Sequence, residues 1–310
     1  MPALMDAPRP ARTNREPLRL VCSEIWGGNR PIHSPVELPG ICGVLYSNPC
    51  HGRHGGDVHY LSVCGTGILS RVCLADVVGH GETVAAVSDE MHAHLRRCMN
   101  QPDQRKVLSR LNDRLHVLGF RAMTTAAALT YYTPTRRLSV SYAGHPPGWY
   151  FSRAARSWSR LEVESTRDHA HPLTDAALAI DSGVPYSARS LRVALGDRIV
   201  FVTDGVLETP GIDGDQYGED RIAELLNAHR DASCEAIGQA LLHDLERYSG
   251  MTPLHHDDVT FLIAEFVPGP AEPRLWLAVK NRITRPRGNA TAFQPAHRAS
   301  GRPDDRGGFE

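Results

Sequence analysis

The hydrophobic period switches twice along this chain, and those switches limit its fold more than any other feature. From residue 41, short apolar runs separated by glycine-bearing turns have the length and alternation of strands: Ile41 to Tyr46, Val58 to Val63 and Ile68 to Leu74. Gly65-Thr66-Gly67 joins the last two as a hairpin. The spacing then turns helical. Val84, Val87, Met91 and Leu95 share a face over Glu82 to Met99, and Val107, Leu108, Leu111 and Leu115 do so over Gln104 to Leu118. Pro102 breaks the pair. Strand-length runs return at Thr124 to Tyr132, Leu138 to Tyr142, Gly148 to Phe151, Leu191 to Ala194 and Arg198 to Thr203. Helical segments at Glu219 to His229 and Cys234 to Tyr248 precede a final strand, Val259 to Phe266. Strands and helices come in blocks. This predicts an α+β fold with antiparallel sheets and helices packed outside, not the βαβ alternation of a parallel sheet.

The flanks differ from this block. Residues 1–36 are rich in Pro and Arg, lack a period and are expected to be unstructured. Residues 268–310 read as a mostly disordered Pro/Gly/Arg-rich tail with room for one short strand at Leu275 to Val279. The expected domain is therefore 37–267, within the size one core can serve. The 36 residues ahead of it are too few for a sensor domain, so any regulatory input is expected from a partner or from dimerisation. Lys and Arg number 34 against 35 Asp and Glu, without the basic excess of a nucleic-acid-binding domain. No apolar run approaches the ~20 residues of a membrane helix, and Met1 to Leu20 lacks a signal-peptide core. Seven irregularly spaced cysteines without a CxxC, Cys50 among them, suit reduced thiols in a cytoplasmic protein. The sixteen histidines, including His51, His54, His59, His80, His255 and His256, read as surface or supporting residues, not as a histidine-ligated metal site.

Four acidic positions share one context. Asp57 ends Gly55-Gly56-Asp57 at the start of a strand. Asp76 closes a strand, Asp204 opens Asp204-Gly205 after another, and the pair Asp257-Asp258 precedes the last. Taken singly, each Asp-Gly reads as a turn. Brought together, carboxylates at strand ends would make the all-oxygen pocket that suits Mg²⁺ or Mn²⁺.

In this order the segments His54-Gly55-Gly56-Asp57, Leu74 to Ala86 (LADVVGHGETVAA), Ser141 to Pro147 (SYAGHPP), Gly196 to Glu208 (GDRIVFVTDGVLE) and His256 to Thr260 (HDDVT) resemble the SpoIIE/RsbU-type bacterial serine/threonine phosphatases, a branch of the protein phosphatase 2C-like (PPM) superfamily. The resemblance spans about residues 40–267. It implies an antiparallel β-sandwich flanked by helices on both faces, with two divalent metal ions, Mn²⁺ or Mg²⁺, at one end. Carried over by position, Asp76 bridges both ions and the Val77 carbonyl completes one. Asp204 and Asp257 serve the second ion, and Asp57 serves the first. Asp258 follows a ligand position without a defined role, and His80 is expected to support a turn. Ala75 departs from the usual Gly, and Val58-His59 from the usual aromatic pair, but neither is a proposed ligand.

The implied activity is hydrolysis of phosphoserine or phosphothreonine by a water that two metals activate. The implied substrate is a phosphorylated anti-sigma-factor antagonist, a STAS-domain protein. A regulatory partner or a second copy would act through residues 82–118; neither nucleic acid nor membrane is expected as a partner. No cysteine sits in a C-x5-R phosphatase loop. Two other readings compete: a non-catalytic binding module of the same fold, and a small-molecule phosphohydrolase.

Overall fold

Near-continuous apolar runs dictate strands buried on both faces, and two sheets of them form the centre of this chain. A computed structural model describes residues 16–50, 54–79, 82–164 and 173–273. Its strands are β1 (Leu18–Arg19), β2 (Glu24–Gly28), β3 (Ile32–Leu38), β4 (Ile41–Asn48), β5 (Asp57–Val63), β6 (Leu69–Val77), β7 (Thr124–Tyr132), β8 (Arg137–Ala143), β9 (Gly148–Ser152), β10 (Ser157–Leu161), β11 (Arg189–Arg192), β12 (Arg198–Val202) and β13 (Val259–Phe266). Its helices are α1 (Glu82–Arg97), α2 (Gln104–His116), the single turn α3 (Asp204–Leu207), α4 (Gly218–Ala228) and α5 (Cys234–Ser249).

One sheet runs β1-β3-β4-β13-β12-β9-β10 and the other β11-β8-β7-β6-β5-β2. Their pairs are antiparallel, except that the two-residue β1 lies parallel to β3. Leu45, Leu61, Leu74, Leu129, Phe201 and Leu262 fill the space between the sheets. Helices α1 and α2 cover the outer face of the six-stranded sheet, where Val87, Met91, Val107 and Leu111 meet Val58, Tyr60 and Ala75. Helices α4 and α5 cover the other sheet through Ile222, Ile237 and Leu241 against Val44, Val200 and Phe261. This is the expected α+β sandwich with helices on both faces.

Local chemistry sets the helix ends. The Asp103 carboxylate accepts from the Arg105 N–H at 3.1 Å and starts α2. Ser233 does the same for α5 through the Ala236 N–H, and Gly250 ends that helix in the left-handed region at φ 69°.

The expectation of an unstructured segment over residues 1–36 fails in its described part. Residues 16–36 hold β1, β2 and most of β3. Pro35 and the pair Gly27-Gly28 read as breakers in the sequence, yet both are used by the sheets. A Cβ at Gly27 would lie 1.9 Å from the His59 carbonyl oxygen, so only glycine allows β2 to approach β5. Pro35 pairs with Val44 near a sheet edge, where a missing N–H is tolerated. The polar run Ser157 to Leu161, not anticipated as a strand, pairs with β9. Residues 1–15, His51, His80 and the strand anticipated at Leu275 to Val279 lie outside the described residues.

Candidate metal centre

Each predicted carboxylate sits where a strand begins or ends, and pairing brings these ends together. Asp57 and Asp76 are directly opposite on β5 and β6. Strands β12 and β13 pair antiparallel, so Asp204, just past the end of β12, lies beside Asp257, just before β13. The two sheets thus deliver four acidic side chains to one end of the sandwich.

The glycines beside them are needed for close approach more than for turning. A Cβ on Gly205 would lie 1.9 Å from the Asp258 carbonyl oxygen. One on Gly55 would lie 2.3 Å from Asp258 Oδ2. One on Gly56 would meet the Val77 carbonyl oxygen at 2.9 Å and Asp76 Oδ1 at 3.3 Å. The bare backbone of Gly56 therefore leaves space beside the Val77 carbonyl and the Asp76 carboxylate.

Asp57 is buried, and its Oδ2 accepts a hydrogen bond from the Thr203 hydroxyl at 2.8 Å. Its Oδ1 is buried with no hydrogen-bond partner. Burial raises the Asp57 carboxyl well above the usual range, and the Asp76 charge adds to this against the nearby Thr260 and Thr203 hydroxyls. Asp76 is pushed up to about 7, first by burial and then by the charges of Asp204, Asp257, Asp258 and Glu208. Asp257 is raised too, mainly by burial, and then by Asp204 and Asp258 against the Asp258 N–H. No Lys or Arg contributes to these shifts. A buried orphan carboxylate oxygen within a group of like charges is chemically matched to a hard divalent cation. The donors present fit the ions that the sequence implies.

Asp258 has a role the sequence left undefined. Its carboxylate accepts the N–H groups of Cys50 at 2.7 Å, Asp57 at 3.2 Å and Gly56, and so ties both ends of the 50–57 loop to the start of β13. Asn29 grips the same loop: its side chain donates to the Gly55 carbonyl at 3.0 Å, and its own carbonyl accepts the Gly55 N–H at 3.1 Å. Cys50 Sγ lies in a tight group with Asp257 and Asp258, the ligand atoms within 4.8 Å of one another. Burial, followed by the Asp258 charge, pushes the Cys50 thiol up to about 12. Asn29, Cys50 and Thr203 were missed in the sequence because none belongs to a repeated pattern; only the Thr203-Asp204-Gly205 run flagged the threonine's position.

Ala143 to Pro147 is the turn that carries the chain from one sheet to the other. Gly144 adopts φ 65°, and its N–H donates to the Asp175 carbonyl at 2.8 Å. The Tyr142 hydroxyl accepts the Gly148 N–H at 3.0 Å and donates to the Leu161 carbonyl at 2.7 Å. His145 is buried within this turn.

Residues 69–267 match the family model for stage II sporulation protein E (SpoIIE), well over half of the chain. The chain belongs to the SpoIIE family. Phosphoserine phosphatase RsbP of Bacillus subtilis (strain 168) is 23% identical over 202 residues, covering 63% of this chain and 45% of RsbP. The chain thus spans less than half the length of that relative. Among solved structures, the RsbU and RsbW domains of Rv1364c from Mycobacterium tuberculosis superpose with a TM-score of 0.61 at 24% identity, over 78% of this chain and 64% of that one. The PP2C phosphatase domain of Bacillus subtilis SpoIIE, with a fragment of its regulatory domain, gives 0.55 at 14% identity over 78% and 63%. RsbX in complex with magnesium gives 0.55 at 15% identity over 76% of this chain and all of RsbX. These likenesses establish the PP2C fold for this SpoIIE-family chain.

Proposed function

We propose that this chain is a metal-dependent protein serine/threonine phosphatase that hydrolyses phosphoserine or phosphothreonine on a STAS-domain anti-sigma-factor antagonist. The observation that carries this reading is the convergence of Asp57, Asp76, Asp204 and Asp257, with one buried carboxylate oxygen unpartnered and no Lys or Arg among the groups that shift Asp57, Asp76 and Asp257. Asp57, Asp76 and the Val77 carbonyl would hold one Mn²⁺ or Mg²⁺, and Asp76, Asp204 and Asp257 the other. Ions so held supply a water of lowered pKa and neutralise charge on the phosphoryl oxygens. Thr203 fixes the Asp57 carboxylate by donating its hydroxyl proton to Oδ2. Asp258 and Asn29 keep the loop that carries Asp57 in place.

RsbP is named a phosphoserine phosphatase, and that supports a phosphoester substrate here. A non-catalytic module would not need four retained carboxylates. A small-molecule phosphohydrolase is separated from the protein phosphatase by substrate choice. Purified protein with Mn²⁺ should release phosphate from phosphoserine and phosphothreonine peptides in preference to nucleotides and sugar phosphates, and EDTA should abolish release. Full activity after chelation overturns the metal assignment. Preference for nucleotides or sugar phosphates favours the small-molecule reading. No described helix is long and apolar enough to cross a membrane. A regulatory partner or second copy would bind through residues 82–118; Val117, 84% exposed, and Leu118 give the end of that segment an apolar surface.

A further inference from the structure

We propose that the outer face of the six-stranded sheet, beside the start of α2, carries a binding site for an organic phosphate of mononucleotide size. Helices α1 and α2 cover this face through Ala126 and Ala128 of β7. Side chains alternate along a strand, so Thr130 and Tyr132 continue the same face. There they line an open groove of about 730 Å³ that Pro102 and Asp103, ahead of α2, also border. That volume is within the ~300–1,000 Å³ of sites that take small molecules. The groove is separate from the acid cluster. Asp76 is opposite Thr125 on β7, and Thr130 lies about 17 Å further along that strand.

Strand register builds the floor. Thr130 of β7 is opposite Ser139 of β8, and Ser139 is opposite Ser190 of β11, so a row of hydroxyl side chains crosses the sheet. The next row on the same face is Tyr132, Arg137 and Arg192. Ser139, Ser190 and Arg137 line the groove with Thr130 and Tyr132. Arg192 lines an adjoining hollow that shares Arg137 and Ser190 with it.

Two independent features of this floor fit an anion. Arg137 and Arg192 are direct cross-strand partners, both exposed, and neither forms an ion pair among the described residues. Like charges directly opposite one another destabilise a sheet, and an anion held between them removes that cost. Thr130 is 3% exposed, and its hydroxyl has no hydrogen-bond partner. A buried hydroxyl left so is costly, and donating to a phosphoryl oxygen recovers the loss. The carboxylate on the border is already engaged: Asp103 accepts from Arg105 Nε and Nη2, each at 3.0 Å. Guanidinium groups take phosphate oxygens in pairs, which puts the phosphate at Arg137 and Arg192. The Tyr132 ring in the same row offers a planar base a face to stack on.

Calorimetric titration of the full chain with adenosine monophosphate in EDTA tests the site, because the acid cluster without metal repels phosphate. One nucleotide should bind per chain with a Kd below about 1 mM. Adenosine and inorganic phosphate should each bind at least about tenfold more weakly, since each lacks one half of the contact. Arg137→Gln should also weaken the nucleotide at least about tenfold, and Thr130→Val should weaken it about threefold or more. Arg192→Gln, also at an exposed position, serves if either variant melts lower than wild type. Failure of the nucleotide to saturate, unchanged affinity in both arginine variants, or inorganic phosphate binding as tightly as the nucleotide overturns the inference. A poly-glutamate peptide that binds where the nucleotide does not, and is lost in Arg137→Gln, would make this face a protein-docking surface and overturns it equally. With metal absent throughout, every one of these outcomes leaves the phosphatase reading untouched.

Discussion

Asp76 is a carboxyl held against its own preference. Its folded pKa of about 7 means that burial and four neighbouring acids oppose its charge. An amide at that position, or at Asp204, removes one repelling charge and also a carboxylate proposed above to hold a hard cation. Asp204→Asn should therefore lower Mn²⁺-dependent turnover by orders of magnitude, while its melting temperature in EDTA stays level or rises. Melts with and without Mn²⁺ beside phosphopeptide turnover check both; a lower melting temperature in EDTA would make Asp204 a structural turn residue instead. His145 supplies a pH dependence away from this cluster. Its Nδ1–H donates to the Pro146 carbonyl at 2.9 Å, its Nε2 is buried without a partner, and burial lowers its pKa to about 4. The folded chain keeps the ring neutral, while the unfolded chain takes up a proton below about pH 6.5. Stability from this group is complete above that pH and is lost as pH falls toward 4, by up to about 3 kcal/mol. Urea unfolding of wild type and His145→Gln at pH 7 and at pH 4.5 should show the larger acid loss in wild type; equal losses would mean the ring gains its proton while folded.

At the scale of elements, α1 and α2 show helical spacing in the sequence turned into packing against a sheet. Val107 and Leu111 were anticipated on an apolar face, and both are fully buried against the six-stranded sheet. Leu111→Ala should therefore destabilise by about 2–5 kcal/mol, measured by chemical denaturation, so a regulatory role for α2 is better probed at exposed Val117. A loss below about 1 kcal/mol would show that α2 packs loosely enough to move. The helices were legible because one face of each is apolar at helical spacing. Strands β7 and β13 were legible to the residue because nearly every side chain is buried and turn residues bound them. Strands β2 and β3 were not, because Gly27-Gly28 and Pro35 become strand residues only through their partners on β5 and β4. The site divides the same way. Carboxylates beside glycine at strand ends announce themselves locally. Asp258 gripping Cys50 is a contact across 208 positions, and nothing local to either residue signals it.

Over the whole molecule, the chain ahead of the family match supports the site from outside. Strand β2 pairs with β5 as far as Gly28 opposite His59, two residues from Asp57, and Asn29 then clamps Gly55 on both sides. Strand β3 pairs along the length of β4, which in turn pairs with β13 beside Asp257 and Asp258. Leu20 and Val36 are buried in the core between the sheets, each contributing about 1.5–3 kcal/mol by burial. Losing both, with the strands that carry them, takes a large share of the 5–15 kcal/mol that holds a typical domain folded. Deleting residues 1–36 should therefore abolish both cooperative unfolding and turnover of a small phosphoester, against the expectation that this stretch is unstructured. Deleting residues 1–15, which carry none of the site motifs, should keep turnover within a few-fold. It should also keep the stabilisation by Mn²⁺, about 2.7 kcal/mol at a hundred times the dissociation constant. Asn29→Ala in the full-length chain separates support of the site from support of the fold. It should weaken Mn²⁺ binding several-fold while the melting temperature in EDTA changes little, because only the side-chain bonds to the Gly55 carbonyl and the His54 ring are lost. If Asn29→Ala binds Mn²⁺ as tightly as wild type, the Asn29 side chain is not needed to hold the loop, and Asp258 with the backbone bond from Gly55 to the residue-29 carbonyl suffices.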